Sequence, residues 1–424
     1  MQVTANSALV SVSNVTTGGF TLSVAEMPAE TTDVTVTVTA TLTGGGNVTK
    51  TKTVQLKVGG GGGGDVIVID ESVADPATRV SGDVNGTTIQ AIRDGSHRYL
   101  GKYVDDGNGG GKMLLCQLSD TDSTKFYDGT TAASLDGSMG DVWMKHPDVY
   151  IKATKEGDEV SLDISTSDNG GRLFPENDLI GVYEANYANS KLRSISGVQS
   201  TGNVSQANFH SYAAARGAGF SLVKPQHQNL MAVLFYAMYG HTNCQAICGA
   251  GTNANNKATG QTNSLGMTDT TTANGNSMSI NFWGLENWWG NKYEWMDGVV
   301  INNGVWTITE DDGTARTIIA PTNSAWVYAK KFIWGDGIDV VPLASETGGS
   351  DSQGYCDGYY GTTDSSRVAQ RSGGNAYTNG GVACVYAGDD SSDAGANSGS
   401  RLAFHGQIEV TTDVQAFIAA TQKS

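Results

Sequence analysis

Charge is scarce in this sequence. Lysine, arginine, aspartate and glutamate make up only 16% of its 424 residues, and proline occurs 7 times. A composition so poor in charge suits β-rich, loop-heavy architecture and excludes a helical bundle. The charge present is one-sided, with 26 basic against 43 acidic residues and a formal net charge of −17. Such a surface repels a phosphate backbone, so no nucleic-acid partner is expected. Long hydrophobic runs are absent too. Leu230–Tyr239 is the best stretch and is too short to span a bilayer, so no membrane insertion is expected. Cysteine is sparse: Cys116, Cys244, Cys248, Cys356 and Cys384 form an odd, scattered set that makes no disulfide framework. Cys244-x-x-x-Cys248 lacks a second pair or a nearby histidine cluster, which argues against zinc. Free, partly buried thiols are expected, with no metal and no cofactor.

Glycine is abundant, at 56 residues, and a chain of this length predicts two or three domains. Residues 1–58 read as a small immunoglobulin-like β-sandwich. Val34, Val36 and Val38 alternate with threonine, Gly44–Asn47 marks a turn, and Val54, Leu56 and Val58 form the returning strand. Phe20, Leu22 and Val24 give an earlier strand. The unbroken glycine run 59–64 predicts a flexible linker. Residues 65–137 read as a small β-rich shoulder, with strands around Val66–Val68 and Met113–Leu115 and a turn at Asp105–Gly111. From residue 138 to 424 a larger domain is expected. Asp141–Pro147 and Val149–Ile151 predict a strand pair, followed by strands at Val160–Ile164 and Ile180–Ala185. Helices are expected over Phe209–Arg216 and Gln228–Tyr239, the second with Leu230, Val233, Leu234 and Ala237 on one apolar face. Thr242–Met278, rich in Asn, Thr and Gly, predicts a surface insertion. Further strands are expected at Val305–Ile308 and Thr317–Ile319.

Trp283–Asp297 organises this domain. Four of the eight tryptophans, Trp283, Trp288, Trp289 and Trp295, fall within it, and that much aromatic area predicts a core. Gly284 and Gly290 allow the tight backbone such crowding needs. The stretch Gly284-Leu285-Glu286-Asn287-Trp288-Trp289-Gly290-Asn291-Lys292-Tyr293-Glu294-Trp295 resembles a segment of C-type lectin-like domains related to formylglycine-generating enzymes. The same fold carries the variable proteins of diversity-generating retroelements, many of them phage tail-tip receptor binders. Asp141–Pro147 with Val149–Ile151 is similar to a segment of phage tail proteins with lectin-like tips. Arg371-Ser372-Gly373-Gly374 and Gly399-Ser400-Arg401-Leu402 resemble the Arg-Gly-Gly and Gly-Phe-Arg-Leu elements that bracket the end of such domains. Ser372 and Ser400 depart from the commonest residues, and Ser221–Pro225 departs from the family's Arg-Leu-Pro-Thr-like strand. Arg401 is expected to anchor buried carbonyls or a carboxylate. The resemblance covers roughly residues 138–405 and implies an α+β fold class, a C-type lectin-like domain preceded by an all-β immunoglobulin-like module.

Between Phe332 and Gln422 there is no lysine, and Ser350–Ser400 is loaded with Gly, Ser, Asp, Asn, Ala and Tyr. That mixture is close in kind to an antibody paratope, where tyrosine supplies rigid contact area and small polar residues adapt. In retroelement variable proteins the segment between the two bracketing motifs is the diversified one. Adenine-rich asparagine codons are its usual targets, and Tyr, Ser, Asp, Gly and Ala are reachable products. The resemblance therefore implies a ligand-binding face made of Tyr359, Tyr360, Asn375, Tyr377, Thr378, Asn379, Tyr386, Asp389, Asp390, Ser392, Asp393 and Asn397.

The function implied is recognition of a host cell-surface protein or glycan at a phage tail-fibre tip. The N-terminal module would join other phage tail proteins, and a homotrimer would supply avidity. Met1–Val10 has neither the basic start nor the apolar core of a secretory leader. That favours a virion protein, released by lysis, over the alternative of a bacterial cell-surface adhesin of the same fold. No enzyme activity is expected. A formylglycine-generating-type oxidase needs a cysteine pair, but Asn375–Ala383 has none and Cys384 has no neighbouring partner. For calcium-dependent sugar binding, Glu286-Asn287 and Asp389-Asp390 are the only acidic candidates and neither forms a loop signature.

Overall fold

In the computed structural model the described residues are 2–5, 10–13, 21–24, 32–42 and 48–58, then everything from 64 to 422 except 109, 253–255, 277, 311–312, 324, 336–341 and 375. Strand makes up 38% and helix 15%, in mostly antiparallel sheets with no closed barrel. This overturns the expected α+β class with its C-type lectin-like domain: the protein is mainly β. Two readable helices gave helix too much weight, while many strands of three to six residues lacked a run long enough to read.

At the N-terminus, Thr32–Leu42 and Val48–Val58 pair antiparallel along their whole length, from Thr32 opposite Val58 to Leu42 opposite Val48. Gln2–Ala5 adds to the other edge, and Val10–Ser13 pairs with Thr21–Val24. The Val/Thr alternation that predicts these strands suits a pleated surface with one buried face. The turn Gly44–Asn47 and the glycines of the run before Gly64 lie outside the described residues.

Residues 65–137 share sheets with residues far along the chain. Asp65–Asp70 pairs with Glu159–Ser165 in a five-stranded sheet. His97–Asp105 and Gly111–Gln117 enter a seven-stranded sheet with Asp141–Lys145, Asp178–Gly181, Leu402–His405 and Phe220–Leu222. Its last edge is Gln407–Thr411, parallel to Gly111–Gln117. The expected pairing of the Asp141 and Val149 strands does not occur. Asp141–Lys145 lies in the seven-stranded sheet and Val149–Glu156 in the five-stranded one. Pro147 between them lacks an N–H and cannot continue a ladder.

The helix Pro225–Tyr239 starts on a proline at its first turn and ends on Gly240 at φ 60, a left-handed stop that glycine adopts without penalty. Every residue from Pro225 to Ala237 is buried, not one face as the periodicity predicts. A helix buried all round must satisfy its polar side chains internally. Gln228 Nε2 donates to the carbonyls of Val382 (3.1 Å) and Cys384 (3.0 Å), and His227 Nε2 lies 2.9 Å from Asp178. The other expected helix runs Gln206–Ala214, capped by the Ser205 side chain. Thr242–Met278 is not a detached surface insertion. Its described part holds the helix Cys244–Cys248 and docks on the tryptophan segment, where Trp289 Nε1 donates to the Gly249 carbonyl at 2.9 Å.

A second seven-stranded sheet positions the candidate site. Its order is Ala344–Thr347, Val327–Phe332, Gly358–Tyr360, Gly381–Tyr386, Gln370–Ser372, Tyr293–Trp295, Ser398–Ser400.

Candidate functional site

Three strands of this sheet are locked together from beneath. Glu294, fully buried, receives the Arg371 guanidinium and, at 2.9 and 2.6 Å, the Nε and Nη2 of Arg401. Arg401 also donates to the carbonyls of Gly181, Val182, Glu286 and Asn287. It thus anchors both a carboxylate and carbonyls. Arg371 stacks on the Trp288 ring, 3.3 Å from its centroid, and donates to the Trp288 carbonyl at 2.6 Å. Desolvation lowers its guanidinium to about 10. Trp283, Trp288, Trp289 and Trp295 are all fully buried, as the sequence predicts, and Gly284 and Gly290 take φ 74 and 81.

Strand alternation then decides which side chains face outward. Tyr359 and Tyr360 pair in parallel register with Val385 and Tyr386, and Tyr386 faces Gln370 on the next strand. Successive residues point to opposite faces. Tyr359 and Val385 therefore enter the core while Tyr360 and Tyr386 face out side by side, ring centroids 4.8 Å apart. Trp326, just before Val327, stacks on Tyr386 at 5.4 Å and on Tyr293 at 6.2 Å, and meets Tyr360 edge-on at 5.8 Å.

These rings wall an open cavity of about 400 Å³ lined by Tyr293, Trp326, Gln370, Tyr377, Tyr386, Asp389, Asp393, Ala394, Gly395, Asn397 and Ser398. Asp389 is half-buried and accepts from Gln370 Nε2 (2.9 Å) and the Tyr386 hydroxyl (3.3 Å). Burial, and then the Asp393 charge, hold its carboxyl above the usual range. Burial, and then Asp389, push the Tyr386 phenol up to about 12, so it is a neutral donor at ordinary pH.

Five of the residues named from the sequence meet in this cavity: Tyr377, Tyr386, Asp389, Asp393 and Asn397. Tyr377 is the most open of its tyrosines, at 49% exposure. Tyr360 borders the cavity through its ring contacts. Tyr359 is a correction: it is 1% exposed and its hydroxyl donates to the Pro321 carbonyl at 2.7 Å, so it cannot touch a ligand. Thr378 and Asn379 lie to one side, the first beside the Tyr328 hydroxyl at 3.1 Å, the second accepting the Gly358 N–H through its carbonyl. Asp390 and Ser392 form a turn next to the cavity, in which Asp390 accepts from the Ser392 N–H and hydroxyl. Asn375 lies outside the described residues. The other six lining residues escape the sequence reading: Tyr293, Trp326, Gln370, Ala394, Gly395 and Ser398. Tyr293 sits in the aromatic block, where core is the natural expectation. Trp326 lies before the diversified-looking segment, and only the fold brings it there.

The cavity offers aromatic faces and acceptors, an arrangement for binding. The thiols are placed differently. All five cysteines are free and buried, more completely than expected. Burial pushes the Cys356 thiol up to about 12 and Cys384 well above its ordinary value, so neither presents a thiolate near neutral pH. Glu286, one calcium candidate, is buried and already accepts from Gly260 N–H (2.8 Å), Thr262 N–H (2.7 Å) and the Thr262 hydroxyl (2.9 Å). Among the described residues no group of three or more His, Cys, Asp or Glu is placed to hold a metal ion. No protein-family model matches the chain, and no curated protein matches it.

Proposed function

We propose that this protein is a receptor-binding protein of the phage tail-fibre type, and that the Trp326–Tyr386 cavity is where it holds a host cell-surface ligand. One observation carries this reading. Residues singled out from sequence as adaptable contact positions, Tyr377, Tyr386, Asp389, Asp393 and Asn397, line one open cavity. They stand over strands pinned by the Glu294–Arg371–Arg401 cluster. A rigid frame beneath changeable side chains suits a recognition surface. It also suits the retroelement diversification suggested by the bracketing motifs, because the bracketing arginines are buried and five of the variable-looking residues line the cavity. The buried, protonated thiols favour a binder over an oxidase.

The test is attachment to host cells beside thermal melting. Tyr377→Ala with Tyr386→Ala should melt within a few degrees of the parent, yet lose attachment. Central tyrosines of a contact face each contribute about 2 kcal/mol or more to binding. Attachment equal to that of the parent would move the recognition face elsewhere.

A further inference from the structure

Among the described residues, the cavity joins two carboxylates and aromatic rings with no cationic side chain. Asp389 and Asp393 present carboxylates. Gln370 is 1% exposed and lines the same space. Its Nε2 is spent on Asp389 at 2.9 Å, and the amide oxygen Oε1 is a further acceptor. Among the described residues no lysine, arginine or histidine lines the cavity. Arg367 is engaged with Asp364 (3.0 Å) and Asp390 (3.5 Å), and Lys292 with the Ala396 carbonyl (2.6 Å). Trp326 and Tyr386 supply ring faces, whose quadrupole attracts a positive group.

We propose that the cavity recognises a primary ammonium group, its carbon skeleton laid against Trp326 and Tyr386 and its charge held by Asp389, Asp393 and Gln370 Oε1. This rests on the cavity being the recognition site. An ammonium carries three donors and no acceptor, which matches three acceptors in one space. A neutral hydroxyl gains little from the two carboxylate charges. Burial, and after it the Asp393 charge, raises the Asp389 carboxyl, and a bound cation offsets both effects. Two sources present this chemistry on a cell surface, a lysine side chain and an amino sugar. The volume, about 400 Å³, admits either.

Saturation-transfer NMR on the full chain tests this with two matched pairs. One pair is Nα-acetyl-lysinamide against its Nε-acetylated form. The other is methyl glucosaminide against methyl N-acetylglucosaminide. The charged member of at least one pair should bind about tenfold more tightly than its neutral partner, and which pair shows it identifies the source. Asp389→Asn with Asp393→Asn keeps the shape and one acceptor oxygen at each position, and should erase that preference and lower host attachment. Equal binding of charged and neutral probes, or no binding of any probe, overturns the ammonium assignment. If the Asn pair attaches to host cells like the parent while Tyr377→Ala with Tyr386→Ala does not, the cavity remains the recognition site and only the ammonium assignment fails. If both variants attach normally, the site itself is misplaced.

Discussion

At the scale of single residues, one substitution stands out for its backbone. Ser372 occupies the place of a glycine in the Arg-Gly-Gly pattern, and it lies at φ 83, in the left-handed region. A side chain there costs roughly 1–2 kcal/mol, against about 0.5–1 kcal/mol for the extra unfolded-state freedom of glycine. Ser372→Gly should therefore stabilise the protein by about 0.5–1 kcal/mol. Ser400, the other departure, shows no positive φ, so Ser400→Gly should destabilise by about the same amount. Urea unfolding of the two variants checks this; a loss of stability in both would remove the strain argument. The motif departures were legible in the sequence, but which one carries strain was not, because φ is set by the fold. The same holds for Tyr359 and Tyr360. The sequence reading expects both as contact tyrosines, yet a strand buries alternate residues, and only the register opposite Val385 and Tyr386 says which of the two turns inward.

At the scale of elements, the site stands or falls with the pinned strands. Arg371→Met would leave Glu294 to Arg401 alone and remove the stack on Trp288. Breaking a buried ion cluster on one side costs about 3–5 kcal/mol. Attachment should then fall together with the melting temperature, unlike the tyrosine pair, where attachment falls alone. Parent-like melting of Arg371→Met would show that the cluster does not hold the sheet. The buried role of Arg401 and the core role of the four tryptophans were legible, because the Gly399-Ser400-Arg401-Leu402 resemblance implies an anchoring arginine and dense aromatic area leaves few other uses. The all-round burial of Pro225–Tyr239 was not. Its Gln226, His227, Gln228 and Asn229 look like a solvent face until Val382, Cys384 and Asp178 supply partners. Sheet membership was hidden for a related reason. Asp141–Lys145 and Val149–Glu156 are adjacent in sequence, yet long-range pairing sends them to different sheets.

For the whole molecule, mainly β architecture replaces the α+β expectation, since numerous short strands leave only weak periodic signals. The cavity is assembled from residues between 293 and 398, more than a hundred positions apart, so Tyr377, Tyr386 and its acids could be named from sequence but not Tyr293 or Trp326. Linked copies raise effective concentration, so a trimer is the assembly that the proposed function predicts. Multi-angle light scattering showing a monomer at micromolar concentration would contradict that expectation. The location of the recognition face is tested most directly by amide hydrogen exchange on the protein free and bound to host envelope fragments. Protection on binding is expected at residues 326–328 and 386–398, which border the cavity. Protection confined to other segments, such as 242–278, with none at 326–328 or 386–398, would contradict it.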